Sequence, residues 1–362
     1  MVNPPRNDLR LHIIAAHLFS WRHTSARRRM LRRNLRLDDL LRMDRDSVKA
    51  LGFPEADLED FPERYLDAAR EELQTCERLE TKLILRGDPE YPPLLEEIYD
   101  SPEVLYVCGD YGSLHGNLLG VVGSRKSDDY GKQAVLRLIP PLCAAGITIV
   151  SGMAWGIDAH AHHAALDSGR PTVGVNAAGM DHLHPPGNRR LLNRIKRKGC
   201  IVCEAPLGTS PQAFLFPVRN RIISGLSRAV LVVQGTCRSG SMITARMALD
   251  QNRELMAVPG PIHSPLSAGP HRLIQQGSKL VTRAVDVLEE YGLAPIPLQH
   301  SPEGLSPRER RILDLMEVDG VKRIDDFVET LDLPVPVVVS LLLELTMKGF
   351  IRQEGDGYLK LI

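Results

Sequence analysis

The chain of 362 residues is long enough for two or three domains, because one hydrophobic core seldom organises more than about 300 residues. Its composition, 43% hydrophobic and 25% charged, is that of a globular protein and excludes the disordered and fibrous classes. Apolar runs such as Val337 to Leu343 fall well short of the roughly 20 residues that cross a bilayer, and the N-terminus lacks a signal-peptide layout. We therefore expect a cytoplasmic protein without a membrane segment.

The charge is balanced overall, with 45 basic and 45 acidic residues, but it is unevenly distributed. Residues 1–50 contain 12 Lys and Arg against 5 Asp and Glu, whereas residues 301–362 contain 8 against 12. A basic cluster in the middle of the chain has Glu204 as its only nearby acid. It consists of Arg189, Arg190, Arg194, Lys196, Arg197, Lys198, Arg219 and Arg221. Any site for a polyanion is expected at this cluster.

Residues 1–85 have the pattern of a small all-α domain of the SAM or helix-hairpin-helix type. The predicted helices are Asp8–Phe19, Ser25–Arg33, Leu37–Met43, Arg45–Leu51 and Phe61–Leu83. Residues 87–111 carry proline and turn signals every few positions. They predict a connector that lies on the next domain.

Short apolar runs alternate with helical patterns between Leu118 and Gly292, which is typical of a parallel sheet covered by helices. The predicted strands are Leu118–Val122, Ile147–Val150, Thr172–Asn176, Cys200–Cys203, Ala229–Val233, Glu254–Val258 and Lys279–Val281. The predicted helices are Tyr130–Cys143, Ile157–Leu166, Asn188–Lys198, Arg219–Leu226, Ser241–Gln251 and Thr282–Tyr291. The pattern predicts an α/β fold with a Rossmann-like parallel sheet as the core of residues 86–292.

The C-terminal part of the chain begins with a proline-rich segment, residues 293–304, which predicts a semi-rigid linker. Beyond it, residues 305–362 fit three helices followed by two strands, Phe350–Glu354 and Tyr358–Ile362, around a glycine turn. This order predicts a winged-helix domain. Because the domain is acidic, we expect it to serve protein interaction or regulation rather than to hold a polyanion.

Four strand-to-helix loops of the predicted sheet should meet at one edge. Ligands of such folds bind beyond the carboxyl ends of the strands, where helix N-termini present backbone amides. These loops contain glycines, hydroxyls and arginines but almost no carboxylates, which suits a phosphate backbone. The candidate contact residues are Gly123, Ser124, Arg125, Lys126, Ser151, Gly152, Gly156, Phe216, Arg219, Asn220, Arg221, Ser239, Gly240 and Thr244.

The candidate arginines also have structural alternatives. Arg125 could form a salt bridge with Asp128 or Asp129 instead of binding a ligand. Arg219 and Arg221 lie two positions apart at a predicted helix start, so their side chains diverge by about half a turn. We expect one of the two to bind phosphate and the other to brace a neighbouring loop, and the sequence does not decide which.

Two residues of the second loop are open to the same question. Trp155 could stack on a base or pack in the core. Asp158 begins a predicted helix, and we expect it to be the N-cap. The basic helix at residues 188–198 is either a solvated face or a surface that attracts a polyanion.

Metal-binding patterns are weak in this chain. Cys200 and Cys203 form a CxxC, but they lie in a predicted strand, where residues three apart point to opposite faces. His160 and His163 share a helix face near His162, yet no third ligand with suitable spacing follows. We therefore expect no metal and no cofactor.

Four strings in the loops resemble the signature blocks of the DNA-processing protein A (DprA/Smf) family, in the same order. They are VVGSRKSDDYG at 121–131, SGMAWGIDAHAH at 151–162, FPVRNRIISGLS at 216–227 and SGSMITA at 239–245. The lead-in GDPEYPPLL at 87–95 is similar as well. The resemblance is specific over residues 87–290 and looser outside them.

The resemblance implies a single-stranded-DNA-binding protein that forms a homodimer and hands the strand to the RecA recombinase in natural transformation. A helical N-terminal domain and a winged helix are common additions in the family. Position by position, the family's Gly-Ser-Arg contact falls on residues 123–125 and its Arg-Asn-Arg block on residues 219–221. The chain departs from the family at Gln234, where a glutamate is usual, and at His184, where a tyrosine is usual.

An enzyme is the alternative, namely a nucleoside-monophosphate phosphoribohydrolase of the lysine-decarboxylase-like Rossmann fold, which shares Gly-Ser-Arg and a glycine-rich second loop. Such enzymes need a carboxylate beside a Pro-Gly-Gly-x-Gly-Thr loop. Here Pro259-Gly260 runs into Pro261, and Gly235-Thr236 has no preceding acid. A dinucleotide-dependent oxidoreductase requires GxGxxG after the first strand, which the chain lacks. We therefore expect a DNA-binding mediator without a catalytic residue.

Overall fold

The computed structural model describes residues 6–59, 62–294, 305–316, 320–347 and 350–360. The described residues fall into two compact units, one up to residue 294 and the other from residue 305 onward. Most of the predicted linker, residues 295–304, lies outside the described residues.

The first unit opens with five helices. They are α1 (Arg6–Trp21), α2 (Thr24–Arg32), α3 (Leu37–Leu40), α4 (Arg45–Ala50) and α5 (Glu63–Arg78). Their core centres on Phe19, which is fully buried, stacks on Phe53 at 4.6 Å between ring centroids and meets Tyr65 edge-on at 5.0 Å.

The rest of the first unit is built on a nine-stranded sheet. The strands are β1 (Thr81–Leu85), β2 (Val104–Gly109), β3 (Asn117–Val122), β4 (Ile147–Ser151), β5 (Thr172–Val175), β6 (Cys200–Cys203), β7 (Ala229–Val232), β8 (Glu254–Ala257) and β9 (Lys279–Leu280). Their order across the sheet is β1-β2-β6-β5-β4-β3-β7-β8-β9. The strands from β6 to β9 in this order pair in parallel, whereas β2 is antiparallel to both β1 and β6. The predicted α/β class and parallel core are confirmed.

The first two strands were not predicted from the sequence. The expected helix Phe61–Leu83 is wrong at its end, because the chain leaves α5 at Arg78, Glu80 adopts a left-handed φ of 51°, and β1 follows. The expected connector at 87–111 contains β2, whose residues are buried except the last. An apolar run that is buried on both faces of a sheet shows no alternation, and the surrounding prolines hid this one.

The helices that follow cover both faces of the sheet. They are α6 (Pro93–Glu96), α7 (Asp129–Ala144), α8 (Ile157–Asp167), α9 (Arg189–Lys198), α10 (Leu215–Leu226), α11 (Gly240–Asp250), α12 (Ala268–Gln275) and α13 (Ala284–Tyr291). One face packs against α6, α10, α11 and α12, and the other against α7, α8 and α13 in the centre of the sheet.

The N-terminal helices share a core with the sheet. Their buried side chains form one hydrophobic cluster with those of α9 and of the outer strands β1, β2 and β6. The Tyr106 hydroxyl on β2 donates to Glu72 Oε1 of α5 at 2.8 Å. The position predicted as a domain boundary, residues 85 and 86, therefore falls at the end of a strand of this sheet.

The second unit contains three helices and a small sheet. They are α14 (Pro307–Asp314), α15 (Ile324–Leu331), α16 (Val335–Met347), β10 (Val321–Arg323), β11 (Ile351–Glu354) and β12 (Gly357–Lys360). The strands pair in the order β10-β12-β11. At the start of α14, the Ser306 hydroxyl accepts from Glu309 N at 3.3 Å, while Ser306 N donates to Glu309 Oε2 at 2.6 Å. The predicted winged helix is confirmed, with β10 as an additional strand.

Within the described ranges, no helix combines the length and the apolar character that a transmembrane span requires.

We expect Phe19→Ala to lower the free energy of unfolding by about 3–5 kcal/mol, because it leaves a cavity among Phe53 and Tyr65. Urea denaturation followed by circular dichroism measures the change. Tyr99→Ala is the control, since Tyr99 is 71% exposed and its loss should cost less than about 0.5 kcal/mol. Equal effects of the two substitutions would show that the N-terminal helices add nothing to the common core.

Candidate nucleic-acid interface

The loops after β3 and β4 pack backbone against backbone at the carboxyl edge of the sheet. Ile157 N donates to Ser124 O at 3.1 Å. A Cβ on Gly156, whose φ is +75°, would lie 2.2 Å from Ser124 O, and a Cβ on Gly123 would lie 2.5 Å from Ile157 Cγ1. The two glycines are therefore required for the loops to approach. Strand order reverses between β3 and β7, which is where ligands of open α/β sheets bind.

Arg125 lies exposed at this edge. Its guanidinium carbon is 5.2 Å from the centroid of the Phe216 ring, and that ring meets His184 edge-on at 5.5 Å. Arg125 forms no ion pair with any residue that the structure describes. Of its two expected partners, Asp128 instead caps α7 by accepting from Gly131 N at 3.0 Å. The guanidinium is thus stacked on a ring and free to bind an anion.

A small cleft lies beside Arg125, and we call it the sheet-edge cleft. Its lining includes Arg125, Trp155, Asn176, His184, Phe216 and Arg219. Trp155 is 50% exposed and rests on Gly187, where a Cβ would lie 2.7 Å from the indole Cζ2. The indole is therefore not a core side chain, and part of it is open to a ligand. Asn176 and His184 were not among the candidate contact residues, although Asn176 ends a predicted strand.

Arg219 forms the floor of the sheet-edge cleft. Its side chain is buried, donates from Nη1 to Val175 O and lies against Gly152, where a Cβ would be 2.5 Å from Nη1. Burial lowers the pKa of Arg219 to about 10, which the carboxylate of Asp158 partly opposes and the charge of Arg125 reinforces. Arg219 thus contributes charge from below the surface.

Asp158 lies next to Arg219 and does not have its predicted role. The N-cap of α8 is Gly156, and Asp158 Oδ2 accepts from Gly152 N at 3.1 Å in the preceding loop. Burial raises the pKa of Asp158, and the nearby Arg219 and the two backbone amides of this loop act in the opposite direction. The carboxylate holds the loop in place, and it uses the Gly152 amide that was expected to contact a ligand.

Arg221 points away from the sheet-edge cleft. Its Nη2 donates to Glu204 Oε2 at 2.6 Å, and its Nε lies 3.2 Å from Asp100 Oδ2. The side chain is only 9% exposed. Of the two arginines on α10, Arg221 is therefore the one that braces the structure, and it does not line the sheet-edge cleft.

Two further candidates are buried. Ser151 is fully buried and donates from its hydroxyl to Val121 O at 2.6 Å, and Thr244 is 1% exposed. Their burial argues against direct contact with a ligand. The remaining candidates, Gly123, Ser124, Lys126, Gly156, Asn220, Ser239 and Gly240, are exposed or partly exposed. The burial of such small polar residues could not be predicted from the neighbouring sequence.

Gln234 connects the loops after β3 and β7. It is buried and donates from Nε2 to Asp128 Oδ1 at 2.6 Å. A glutamate at this position would place a second carboxylate beside Asp128, whereas the amide supplies a donor. The amide of Gln234, where the family usually has a glutamate, thus fits the carboxylate of Asp128 in this chain.

His162, Cys200 and Cys203 are buried inside the first unit. His162 is fully buried, its Nδ1 lies 2.8 Å from Thr172 Oγ1, and burial lowers its pKa to about 3. Cys200 and Cys203 are buried on β6, and burial raises the pKa of both thiols. Among the residues that the structure describes, no group of three or more His, Cys, Asp or Glu side chains is placed to hold a metal ion.

A buried ion cluster anchors helix α10 to the N-terminal helices. Glu204, just after β6, is 3% exposed and binds Arg221 through one oxygen and Arg27 of α2 through the other. Its backbone carbonyl lies 3.0 Å from His17 Nε2. Burial alone would raise the pKa of Glu204, but Arg221 and Arg27 outweigh it and lower the pKa to about 2. The cluster fixes the helix that carries Phe216 and Arg219.

Two protein-family models match the chain. Residues 82–292 match the family described as DNA recombination-mediator protein A, and residues 297–357 match the DprA winged helix domain. The chain belongs to this family. Among its relatives, Protein Smf of Escherichia coli (strain K12) is 40% identical over 312 residues, which are 83% of each chain. DNA processing protein DprA of Bacillus subtilis (strain 168) is 42% identical over 249 residues, covering 68% of this chain and 82% of the relative.

Two solved structures of the family have the same fold. DNA processing protein A from Streptococcus pneumoniae superposes with a TM-score of 0.61 at 38% identity, covering 67% of this chain and 85% of that one. DNA processing protein A from Helicobacter pylori, solved for its single-stranded DNA binding mode, gives a TM-score of 0.54 at 26% identity, covering 59% of this chain and 95% of that one.

We expect Glu204→Gln to lower the free energy of unfolding at pH 7 by about 3 kcal/mol, because the carboxyl pKa falls from an ordinary 4.5 to about 2 on folding. A lowered folded-state pKa stabilises fully above pH 4.5, and the effect is lost as the pH falls toward 2. Urea denaturation should therefore show that the difference in free energy of unfolding between wild type and variant is less than half as large at pH 3 as at pH 7. Glu254→Gln, at an exposed carboxylate, is the control. A difference in free energy of unfolding that does not change with pH would contradict the lowered pKa of Glu204.

Proposed function

We propose that the chain binds single-stranded DNA along the carboxyl edge of its sheet and acts as a recombination mediator. The observation that carries this proposal is the unpaired guanidinium of Arg125, stacked on Phe216 beside the half-exposed Trp155. Cations beside exposed aromatic faces suit a single strand, since phosphates pair with the cations and unstacked bases lie on the rings.

The exposed candidates divide the contacts with the strand. Arg125 and Lys126 pair with phosphates, Phe216 and Trp155 contact bases, and the hydroxyl of Ser124 and the amides around Gly240 at the start of α11 add hydrogen bonds. The other surface contacts are Gly123, Gly156, Asn220 and Ser239. Arg219 contributes from the floor of the sheet-edge cleft, while Ser151, Gly152 and Arg221 support the structure around it. Thr244 is buried and makes no contact with the strand.

The known relatives support a strand of DNA as the ligand. The Helicobacter pylori protein, which shares the fold at 26% identity, was solved for its single-stranded DNA binding mode. We propose in addition that the chain works in the cytoplasm as a homodimer and passes the strand to the RecA recombinase. The description of the family as recombination mediators supports a role beside a recombinase.

We propose that the site has no catalytic role. Two carboxylates near the carboxyl edge are already engaged, Asp158 with the Gly152 amide and Asp128 with Gly131 and Gln234. A glycosyl-transfer enzyme needs a carboxylate aimed at the substrate. This arrangement favours binding over the phosphoribohydrolase alternative.

The winged helix is a poor candidate for a DNA reader. Helix α16 contains no lysine or arginine, and it exposes Val335, Val339 and Leu343 on one side. A recognition helix that enters the major groove of DNA needs cationic and hydrogen-bonding side chains. We propose that this unit contacts protein.

We expect Arg125→Ala to weaken binding of an oligothymidine about tenfold, because one stacked phosphate contact is lost. The slope of log K against log salt should also flatten by about 0.7. Fluorescence anisotropy at several salt concentrations measures both quantities. Arg272→Ala is the control, since Arg272 is exposed on α12. Unchanged affinity in Arg125→Ala, with binding by the wild type, would reject the sheet-edge site.

We expect the purified protein to release no adenine from adenosine monophosphate above the rate of a buffer blank. The reason is that no free carboxylate points into the sheet-edge cleft among the residues that the structure describes. Chromatography of the reaction mixture measures free base. Release that disappears in Asp158→Asn would establish the phosphoribohydrolase alternative.

A further inference from the structure

A second cleft lies on the other side of helix α10, between that helix and the corner where α1 meets α2. We call it the N-terminal cleft, and its lining includes Trp21, Arg22, Arg28, Phe214 and Val218. Its volume is about 300 Å³, which is at the lower end of the range of small-ligand pockets. None of the candidate contact residues other than the bracing Arg221 lines it.

The charge of the N-terminal cleft is strongly positive. Four arginines line it against one carboxylate, Asp100. Arg27 and Arg221 are neutralised by two carboxylates together, the buried Glu204 and Asp100. Arg22 and Arg28 are exposed, and they form no hydrogen bond or ion pair with any residue within the described ranges. Two cations are therefore available to an anionic ligand.

Aromatic side chains stand beside these cations. Phe214, at the N-cap of α10, is 56% exposed. Trp21 is partly buried, with Arg27 Cζ 5.8 Å from its ring centroid. Unpaired arginines next to exposed rings repeat the combination found at the sheet-edge cleft, and this combination suits a single strand.

The first turns of α10 separate the two clefts. Phe216 and Arg219, three positions apart, line the sheet-edge cleft, whereas Leu215 and Val218, also three apart, line the N-terminal cleft. A helix is only about 10 Å across. A strand that passes over the exposed ring of Phe214 at the helix start can therefore reach both clefts.

We propose that the N-terminal cleft binds a further segment of the same single-stranded DNA, next to the segment on the sheet edge. The inference rests on the proposed function, and it makes the N-terminal helices part of the DNA-binding surface. Phosphates would pair with Arg22 and Arg28, and a base would lie on Phe214.

The test compares two double charge reversals on the full chain, Arg22→Glu with Arg28→Glu, and Arg32→Glu with Arg33→Glu. Arg32 and Arg33 are exposed at the C-terminal end of α2, their reversal changes the net charge equally, and they lie outside the cleft. Anisotropy with oligothymidines of about 5 and about 15 nucleotides separates one cleft from two. We expect the first pair to bind the long oligomer about tenfold more weakly, with a salt slope flatter by about 1.4, and to leave the short one within about twofold.

A second comparison removes the aromatic contact without changing charge. Phe214→Ala should weaken binding of the long oligomer more than Tyr99→Ala, which removes a ring that is 71% exposed, against 56% for Phe214, and that lines neither cleft. The proposal would be overturned if the two charge-reversed variants lost the same affinity at both oligomer lengths. It would also be overturned if Arg22→Glu with Arg28→Glu weakened binding of the short oligomer as much as binding of the long one. An acidic protein segment as the true occupant would also leave every DNA affinity unchanged and overturn it.

Failure of the proposed function gives a different pattern. In that case the wild type binds neither oligomer, or Arg125→Ala has no effect at either length. If Arg125→Ala weakens binding but Arg22→Glu with Arg28→Glu does not, the sheet edge remains a DNA-binding site and only the N-terminal cleft is ruled out.

Discussion

The burial of Glu204 between Arg27 and Arg221 is the interaction on which the arrangement of both clefts depends. It joins the second helix of the chain, the end of β6 and the helix that separates the clefts. A buried ion cluster of this kind adds little net stability compared with apolar packing, but it is costly to break, so it selects one relative position of the parts that it joins. Phe214, Phe216 and Arg219 owe their places to that selection.

The sheet edge shows the same division between buried and exposed charge. Below the surface, Asp158 holds the loop after β4 by accepting from the Gly152 amide, and the nearby Arg219 donates to Val175 O at the end of β5. Above it, Arg125 stacks on Phe216 and forms no ion pair within the ranges that the structure describes. The buried pair is close to neutral, and the exposed layer keeps its positive charge for a ligand.

The parallel strands could be predicted to within one or two residues, because most are short apolar runs that follow a glycine turn and precede a helical pattern. β1 and β2 could not, since prolines surround β2 and β1 follows a helix after a single turn. The loops of the site were found from their residue types. Which side chains are buried was not, because it is decided by distant partners: Arg27 lies 177 positions from Glu204. The divergence of Arg219 and Arg221 did follow from helix geometry alone.

The two outer strands of the sheet also bear on how the protein behaves at high concentration. An unpaired strand edge invites another chain to add to it, and lysines on the edge oppose such growth. β9 is two residues long, and its Lys279 binds Glu289 and Glu290. β1 presents Lys82, which pairs with Glu90 and lies 3.9 Å from the centroid of the Tyr111 ring. Both edge strands therefore oppose edge-to-edge pairing with the sheet of another molecule.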